Sequence, residues 1–418
     1  RRAGCGECGS AGKYQDVAMK AGWPTKKLGD LLEVQNGYAF SSRDYSEAGH
    51  FLMRIGNVQN GYVSLSDPKF VGIPSDSPLQ RFVLSEGDIL VSLTGNVGRI
   101  GVIQEDHLPA VLNQRVARIA INEHSPATRE FLLFFLYSDW FREELGRSGH
   151  GAAQQNVSTK DILEIQLPIP PLPEQQRIVG ILDDAFDGIA TAKANAEQNL
   201  QNARALFESH LQSVFADAWQ TGELVTLADL ATDITDGDHM PPPKAMSGVP
   251  FITIGNVVKD TRIINFTDTF MVSREYFDRL KPNKKPKHGD VLYTVTGSFG
   301  IPVLVNEHRE FCFQRHIGLV RPKTGVSSEW LYYLLMSPQI FKQANDGATG
   351  AAQKTVSLKL LRGFQVPRIP FELQHEIAAK LKAVSEETQR LESLYQRKLA
   401  ALDELKKSLL HQAFSGQL

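Results

Sequence analysis

Two short motifs in the chain combine residue types that could hold a metal ion or a phosphate group. Residues 5–8 (Cys-Gly-Glu-Cys) supply half of a zinc site, but a structural zinc site takes four ligands and no second pair follows. Residues 347–355 resemble a nucleotide-binding loop, yet Gln353 stands where that loop needs the glycine before its lysine. We therefore expect no metal and no cofactor in this chain. That stretch and its first-half equivalent are interpreted as approaches to short helices capped by Ser357 and Ser158.

Polar side chains in glycine-bearing loops are better candidates for binding. Arginine presents paired donors that suit guanine, and asparagine or glutamine presents a donor and an acceptor that suit adenine. An ordinary turn or surface position is the competing interpretation for each residue. The candidates for base or phosphate contact are Tyr38, Ser41, Arg43, Asn96, Arg99, Gln114 and Arg115 in the first half of the chain, and Asp238, His239, Lys244, Ser298, Gln314 and Arg315 in the second.

The most basic stretch is a proline-bearing loop that contains Lys281, Lys284, Lys285 and Lys287. The chain as a whole has a formal charge of −2, so a surface that binds nucleic acid must be basic locally. We expect these lysines to contact phosphate groups, with a solvated loop as the alternative.

The composition restricts the class of protein. A 42% hydrophobic share with 22% charged residues is ordinary for a globular protein, and no apolar run approaches the roughly eighteen residues that a membrane helix needs. Three cysteines, of which Cys312 is isolated, do not form a disulfide framework. These features favour a cytoplasmic protein of at least two domains with no membrane partner.

An internal repeat of about 200 residues organises the chain. Most matched blocks recur 199 residues later, whereas Gln114-Arg115 recurs as Gln314-Arg315 after 200. A pair that both copies share cannot distinguish two binding sites, so we expect this one to contact phosphate or to stabilise the fold. The other matches include LGDL at 28–31 with LADL at 227–230, IGNV at 55–58 with IGNV at 254–257, and GAAQ at 151–154 with GAAQ at 350–353.

Each copy combines a mixed α/β module with a long helix. Short β-rich runs alternate with glycine turns in the module, and prolines at 168–173 interrupt the chain before the helix begins. The predicted divisions are an extension at 1–18, foreign or disordered, a first module at 19–170, a first helix at 171–217, a second module at 218–369 and a second helix at 370–418.

Apolar or small residues recur every three or four positions from Ile178 to Val214 and again from Ile377 to Ala413. This spacing places one apolar stripe on each helix. Lys406 alone departs from it, and we expect Leu405 to take its place. The two stripes predict an antiparallel, coiled-coil-like pair that separates the two modules about a pseudo-twofold axis.

Several blocks give the chain a family resemblance over residues 19–418. NGYAF at 36–40, GDILVSLTG at 87–95, PLPEQQRIV at 171–179 and LLHQAFSGQL at 409–418 resemble the specificity subunit of type I restriction-modification systems. The resemblance implies two target-recognition domains that read a bipartite site in double-stranded DNA. It also implies docking of two modification (adenine methyltransferase) subunits, which would bind S-adenosylmethionine, with restriction subunits joining for cleavage.

Two other interpretations remain open at this point. One is the recognition portion of a self-contained DNA methyltransferase or restriction enzyme. Such an enzyme needs a glycine-rich cofactor loop and an Asn/Asp-Pro-Pro-aromatic element, and residues 240–244 (MPPPK) lack both the polar lead and the aromatic residue. The other is a scaffold without a role on DNA, for which the modules are larger than necessary.

Polar residues on the predicted helices are candidates for subunit docking. They are expected on exposed faces, where a merely solvated position is the competing interpretation. These residues are Gln175, Arg177, Gln374 and Arg390.

Overall fold

The structure, a computed structural model, describes residues 22–148, 156–239, 242–350 and 353–418. The predictions made for residues 5–8, for the extension at 1–18, for residues 151–155 and 351–352 of the two GAAQ blocks, and for the first two residues of MPPPK lie outside the described residues. The chain divides into two compact units. Unit 1 takes the chain up to Ala196 together with Arg397–Leu418, and unit 2 takes Glu197–Gln396.

The two units share most of their elements in the same order. Unit 1 has strands β1 Thr25–Lys27, β2 Leu32–Asn36, β3 Tyr45–Ser46, β4 His50–Met53, β5 Phe70–Val71, β6 Ile89–Ser92, β7 Ile100–Val102, β8 Ala110–Leu112, β9 Val116–Ile121 and β10 Gln166–Pro168, with helices α1 Arg129–Tyr137, α2 Asp139–Ser148 and α3 Thr159–Leu163. Helix α4, Leu172–Thr221, begins in unit 1 and ends in unit 2.

Unit 2 follows with a similar series. Its strands are β11 Leu224–Thr226, β12 Ala231–Asp236, β13 Val249–Ile252, β14 Val257–Val258, β15 Ile263–Ile264, β16 Phe270–Val272, β17 Val291–Thr294, β18 Pro302–Leu304, β19 Cys312–Phe313, β20 Ile317–Pro322 and β21 Gln365–Pro367; its helices are α5 Leu227–Leu230, α6 Arg274–Arg279, α7 Ser328–Met336, α8 Pro338–Gly347 and α9 Leu358–Arg362. Among the described residues, unit 2 adds to the series the short strand pair β14 and β15 and the short helix α6. Helix α10, Phe371–Phe414, begins in unit 2 and ends in unit 1.

Each unit is built around a four-stranded antiparallel sheet. The strand order is β2-β9-β6-β7 in unit 1 and β12-β20-β17-β18 in unit 2. The two repeated sequences therefore fold into central sheets of the same topology. Strand β6 is buried on both faces: Ile89 and Val91 face the core that contains α1, while Leu90 faces the core of a second sheet. Alternate side chains of a strand point to opposite faces, which explains why this strand is apolar throughout.

A second sheet covers the other face of the central sheet. Its order is β3-β5-β4-β8 in unit 1 and β16-β13-β19 in unit 2. In both units one pair of its strands is parallel, β4 with β8 and β13 with β19. Each unit also closes with a two-stranded sheet, β1 with β10 or β11 with β21, where the chain enters and leaves the α/β part.

The long helices complete the core of each unit and run antiparallel within it. In unit 1, Ile178 and Leu182 near the start of α4 share a core with Leu410 and Phe414 near the end of α10. In unit 2 the order is reversed, because residues from the last third of α4 pack with residues from the first quarter of α10. The predicted antiparallel pairing of two apolar stripes is therefore confirmed within each unit.

One detail of the predicted stripe is wrong. Leu405 is exposed, whereas the Lys406 ammonium lies 4.6 Å from the centroid of the Phe186 ring. Lys406, and not Leu405, therefore contacts α4, because its charge faces the electrons of the Phe186 ring. Burial lowers the pKa of Lys406.

Capping residues begin the short helices where the sequence predicts them. The Ser158 hydroxyl accepts a hydrogen bond from the Asp161 backbone N–H at 3.2 Å, and the Ser357 hydroxyl accepts one from the Leu360 N–H at 3.1 Å. Helix α4 runs past the predicted end at residue 217 and stops just before Gly222. None of the described helices has the length and apolarity that crossing a membrane requires.

The Tyr293 hydroxyl is buried in the central sheet of unit 2 and has no hydrogen-bond partner among the described residues. Burial raises its pKa. We expect Tyr293→Phe to increase the free energy of unfolding by about 1 kcal/mol, because an unsatisfied polar group leaves the core. Denaturant unfolding of the purified chain, followed by intrinsic fluorescence, measures this change.

Tyr276→Phe is the matched control, because the Tyr276 hydroxyl donates to the Asp238 carboxylate at 2.5 Å. This second substitution should decrease the free energy of unfolding by about 1 kcal/mol or more. Destabilisation by Tyr293→Phe would contradict the assignment of an unpartnered hydroxyl.

Candidate nucleic-acid interface

Antiparallel pairing collects several candidate residues of unit 1 at one end of its central sheet. Asn36, the last residue of β2, pairs with Ala117 near the start of β9, and Ser92, the last residue of β6, pairs with Val116. The loops that leave these strands therefore lie together. We call residues 37–38, 94–99 and 113–115 the loop end of unit 1.

The equivalent loops meet in unit 2. Asp236 pairs with Gly318, and Thr294 pairs with Ile317, so the end of β12, the end of β17 and the start of β20 lie side by side. Residues 237–239, 295–301 and 314–316 form the loop end of unit 2. Sequence candidates from separate parts of the chain thus share one surface in each unit.

A hairpin at the loop end of unit 1 is held by a buried hydroxyl. The Ser92 hydroxyl donates to the Asn96 carbonyl at 2.6 Å and accepts from the Arg99 backbone N–H at 2.9 Å. The Arg99 guanidinium donates to Gln59 Oε1 at 2.9 Å, while the Asn96 side chain is exposed. In unit 2 the Thr294 hydroxyl donates to the carbonyl of the exposed residue Ser298 at 2.8 Å.

Tyr38, Ser41 and Arg43 follow β2. The Tyr38 ring is 40% exposed and packs against Phe40, with 4.9 Å between centroids. The Ser41 hydroxyl accepts from the Arg43 backbone N–H at 3.3 Å and caps a single turn, so Ser41 has a structural function there. The Arg43 side chain is exposed and stays a predicted contact.

A cleft of about 450 Å³ opens beside Gln114 and Arg115 in unit 1. Arg54 lies in its wall and forms an ion pair with Asp67 at 2.9 Å. The hydrogen bond from Arg54 is the main cause that lowers the pKa of Asp67. Sequence reasoning did not select Arg54, although it directly precedes the repeated IGNV block.

The asparagine of that block has a structural function in both units. Asn57 Nδ2 donates to the carbonyls of Ser64 and Ser66, at 2.9 and 3.0 Å. Asn256 Nδ2 donates in the same way to Asn265 and Asp268, at 3.3 Å each. The repeated motif thus fixes the loop that follows it, which explains why both copies retain it.

The candidates in the β12 loop of unit 2 are already hydrogen-bonded. Asp238 Oδ2 accepts from the Tyr276 hydroxyl, and its Oδ1 accepts from the His239 backbone N–H at 2.9 Å. Burial, followed by the bond to Asp238, raises the pKa of Tyr276. His239 Nε2 lies 2.8 Å from Asp236 Oδ2. Lys244 is exposed, with its ammonium 5.3 Å from the Phe270 ring centroid.

The four lysines differ in their surroundings, and phosphate contact stays a prediction for them. Lys284 Nζ donates to the Gly237 carbonyl at 2.9 Å, and Lys285 Nζ donates to the Asp278 carbonyl at 3.1 Å. Both satisfy backbone oxygens of unit 2. Lys287 stands just before β17, at the end of the sheet opposite the loop end, and is exposed like Lys281. Only the latter two keep freely exposed side chains for a phosphate.

The shared Gln-Arg pair is not structurally equivalent in the two units. The backbone N–H that donates to the residue-38 or residue-238 carbonyl belongs to Gln114 in unit 1, at 2.9 Å, but to Arg315 in unit 2, at 3.2 Å. Gln114 therefore matches Arg315, and the apparent sequence match is displaced by one residue. The expectation that both units present the same pair at this place is wrong.

Two of the four docking candidates are buried. Gln175 Oε1 accepts from the Thr128 N–H at 2.8 Å, and its Nε2 donates to the carbonyls of Pro126 and Pro170. Gln374 repeats this arrangement in unit 2 with Ser327 and Ile369. The prediction that these two glutamines lie on exposed faces and contact another subunit is therefore wrong.

The two arginines among the docking candidates are exposed on the long helices. Arg177 pairs with Glu174 at 2.7 Å, and Arg390 pairs with Glu387 at 2.7 Å. In each pair, hydrogen bonding to the partner is the largest influence and raises the pKa of the arginine. Both residues stay predicted docking contacts.

Gly37 and Gly237 allow two backbone segments to meet at each loop end. A Cβ atom on Gly37 would lie 2.2 Å from the Asn113 carbonyl oxygen, and one on Gly237 would lie 1.9 Å from that of Phe313. We expect Gly37→Ala to displace the loop end of unit 1 and to reduce DNA binding about tenfold or more. Binding of a duplex at fixed salt concentration measures it.

Gly56→Ala is the control for that substitution, because a Cβ atom there meets no atom within 4 Å. Equal losses from Gly37→Ala and Gly56→Ala would show that the close approach does not matter for binding. A Gly37→Ala protein with full affinity would likewise contradict the prediction.

Comparison with known proteins gives a consistent family. The family model described as "Type I restriction modification DNA specificity domain" matches residues 20–202 and again residues 218–399. The chain is 22% identical to the type I restriction enzyme EcoBI specificity subunit of Escherichia coli, over 96% of this chain and 87% of that protein. It is 23% identical to the EcoKI specificity subunit of Escherichia coli strain K12, over 98% and 91%.

Solved structures share the fold. A chain from a structural study of complex assembly and conformational transition in the type I restriction-modification system superposes with a TM-score of 0.73 at 22% identity, covering 95% of this chain and 98% of that one. The HsdS subunit from Thermoanaerobacter tengcongensis gives a TM-score of 0.54 at 21% identity, covering 95% and 97%. With two matched domains that together span most of its length, the chain belongs to the family of type I restriction-modification DNA specificity subunits.

Proposed function

We propose that this specificity subunit reads a bipartite site in double-stranded DNA, with one half-site at the loop end of each unit. The observation that carries the proposal is the duplicated loop end: one backbone arrangement, built twice in one chain, presents different side chains. A duplicated frame with different contacts is suited to two different half-sites.

Local charge supports contact with DNA despite the net charge of the chain. The loop end of unit 1 contains Arg99 and the exposed Arg115, and that of unit 2 contains the exposed Arg315. Arginine binds both phosphates and base edges, so a few such residues suffice for a local interface. Affinity should then fall as salt concentration rises, since bound phosphates release their counterions.

Methyl transfer and cleavage are assigned to partner subunits. The relatives are specificity subunits, which recognise DNA and are not themselves enzymes, and the same holds for this chain. We propose that it docks two modification subunits, which bind S-adenosylmethionine and methylate adenine, and restriction subunits through them. Exposed residues of the long helices, including Arg177 and Arg390, are proposed docking contacts. The assembly would work in the cytoplasm.

A methylation assay tests this function. The purified chain should transfer no methyl group from S-adenosylmethionine to DNA, whereas the chain co-expressed with the modification subunits of a type I system should methylate adenines in a bipartite site. Sequencing of methylated adenines in the treated DNA identifies the site. Transfer by the chain alone, or methylation of one uninterrupted short site by the complex, would overturn the proposal.

The role of the long helices as a spacer stays a prediction. Helix α4 has 50 residues and α10 has 44, and each continues from one unit into the other without a break. Removing four residues from each helix shortens it by about 6 Å, slightly more than one turn. We expect the spacing between the half-sites to change or binding to be lost. Unchanged spacing with full affinity would contradict a spacer role.

A further inference from the structure

Two matched positions at the loop ends hold different side chains, Gln114 with Arg315 and Arg115 with His316. We propose that these positions determine the base that each unit prefers, with Gln114 favouring adenine and Arg115 and Arg315 favouring guanine. The inference rests on the proposed function, and it names the specificity-determining residues within it.

Backbone hydrogen bonds define the match between the units. Gln114 and Arg315 donate to the carbonyls of Tyr38 and Asp238, as described above. The Arg115 carbonyl accepts from the Leu93 N–H at 3.0 Å, and the His316 carbonyl accepts from the Val295 N–H at 2.9 Å. Because the backbones coincide in this way, the two units differ here through their side chains.

The frame around these positions is rigid. The residues on either side are Asn113 and Val116 in unit 1, both buried, and the half-buried Gln314 and the buried Ile317 in unit 2. The close approach at Gly37 and Gly237 holds the neighbouring loop against the same segment. Side chains that project from a fixed backbone can discriminate between bases, since small displacements weaken paired hydrogen bonds.

The exposed side chains have the chemistry for such discrimination. Gln114, Arg115 and Arg315 are exposed, and neither arginine forms an ion pair with another of the described residues. A glutamine amide can donate to adenine N7 and at the same time accept from adenine N6–H₂, a pair of bonds that only adenine offers. An arginine guanidinium can donate to both O6 and N7 of guanine. The pairs therefore predict different bases at the same place in the two half-sites.

His316 adds a difference in charge. Its ring is half-buried, and Gln314 Nε2 lies within hydrogen-bonding distance of His316 Nδ1. Burial, and then the neighbouring Arg315, lower its pKa, which favours the neutral ring. Arg115 places a permanent positive charge at the position that matches His316. The two units therefore differ in side-chain charge at both matched positions.

Reciprocal exchange tests the inference. The full chain is purified with its modification subunits and incubated with a duplex library in which both half-sites are randomised, and the methylated fraction is sequenced. Arg315→Gln with His316→Arg should change the preferred base at one or two positions of one half-site, by about tenfold or more, and leave the other half-site unchanged. Gln114→Arg with Arg115→His should do the reverse.

Two further variants separate base reading from other roles. Arg315→Lys keeps the charge but loses the paired donors, so the preference for guanine should fall about tenfold while overall binding changes less. Lys323→Gln alters an exposed residue just after β20, at the opposite end of the same sheet, and should leave every base preference unchanged. Thermal unfolding of each variant checks that the fold is retained.

The outcomes distinguish the inference from the proposed function. If the wild-type complex reads a bipartite site but the exchanged variants lose affinity equally for all sequences, these residues contact phosphate and the inference is wrong while the function stands. The same conclusion follows if the variants keep every preference of the wild type. If the wild-type complex reads no bipartite site, the function fails, and the inference fails with it.

Discussion

Replacing residues 23–167 with the corresponding segment of another specificity subunit is expected to change one half of the recognised DNA site and to leave the other half intact. The segment carries the whole loop end of unit 1, including Arg99 and Gln114, whereas unit 2 keeps all of its own contacts. Each mismatched base pair typically costs about 1–3 kcal/mol. Loss of several contacts should therefore reduce preference for the original half-site by about a thousandfold.

The structure explains why this exchange should preserve folding. The chain enters the α/β part of unit 1 through β1 and leaves it through β10. These two strands pair antiparallel, with Thr25 opposite Pro168. The Ile169 N–H also donates to the Pro24 carbonyl at 2.8 Å. Both junctions of the exchange thus lie at one small sheet. The donor segment must also keep the apolar face that packs on the long helices and the backbone groups that bind Gln175.

Sequencing of methylated adenines, with the modification subunits held constant, measures the result. The equivalent exchange in unit 2 between β11 and β21 is the control and should change only the other half-site. A change in both half-sites from a single exchange would show that each unit does not read its half-site independently. An unchanged site would place recognition outside the exchanged segment.

Gln175→Ala and Gln374→Ala are expected to cause large losses of stability, although each removes only a polar side chain. Gln175 satisfies three backbone groups in unit 1, one N–H and two carbonyls, at 2.8–2.9 Å. Removing the amide leaves the buried Pro170 carbonyl and two part-buried groups without this partner, and an unsatisfied buried group costs about 1–3 kcal/mol. We expect a decrease of about 3–5 kcal/mol in the free energy of unfolding of unit 1, with a comparable but smaller effect of Gln374→Ala on unit 2.

Amide hydrogen exchange measures the two units separately, since each should lose protection only where its own glutamine is replaced. Arg390→Ala is the matched control on a long helix, because its exposed ion pair with Glu387 should contribute no more than about 0.5 kcal/mol. A loss below about 1 kcal/mol for Gln175→Ala would contradict the structural role of this side chain. A loss for Arg390→Ala as large as that expected for Gln175→Ala would contradict it as well.

Much of the fold could be predicted because local patterns repeat. The displacement of about 199 residues between matched blocks predicts two similar modules, and the structure has two sheets of identical strand order. A single apolar stripe on a helix requires a partner, and the chain supplies one in the second copy. Ser158 and Ser357 were recognisable as caps because a serine before a helix satisfies a free N–H group.

The candidate interface was predicted less completely. Tyr38, Gln114 and Arg115 do lie at one loop end, because antiparallel strands bring their loops together. Lys284 and Lys285, however, bind carbonyls within unit 2, and a lysine in sequence does not reveal which oxygen it will meet. Their assignment depended on composition, and composition does not specify contacts.

The sequence by itself determined the duplication, the antiparallel helices within each unit and the family. It did so because repeats and helical periodicity are properties of residue order, and burial of an apolar stripe follows from order alone. Tertiary structure alone decided which residues are equivalent at the loop ends and which polar residues are buried. Small insertions shift the two copies against each other, so Gln114 matches Arg315 only through backbone hydrogen bonds between segments far apart in the chain. Gln175 and Gln374 are polar in sequence but buried in the fold, because the loops that they anchor surround them.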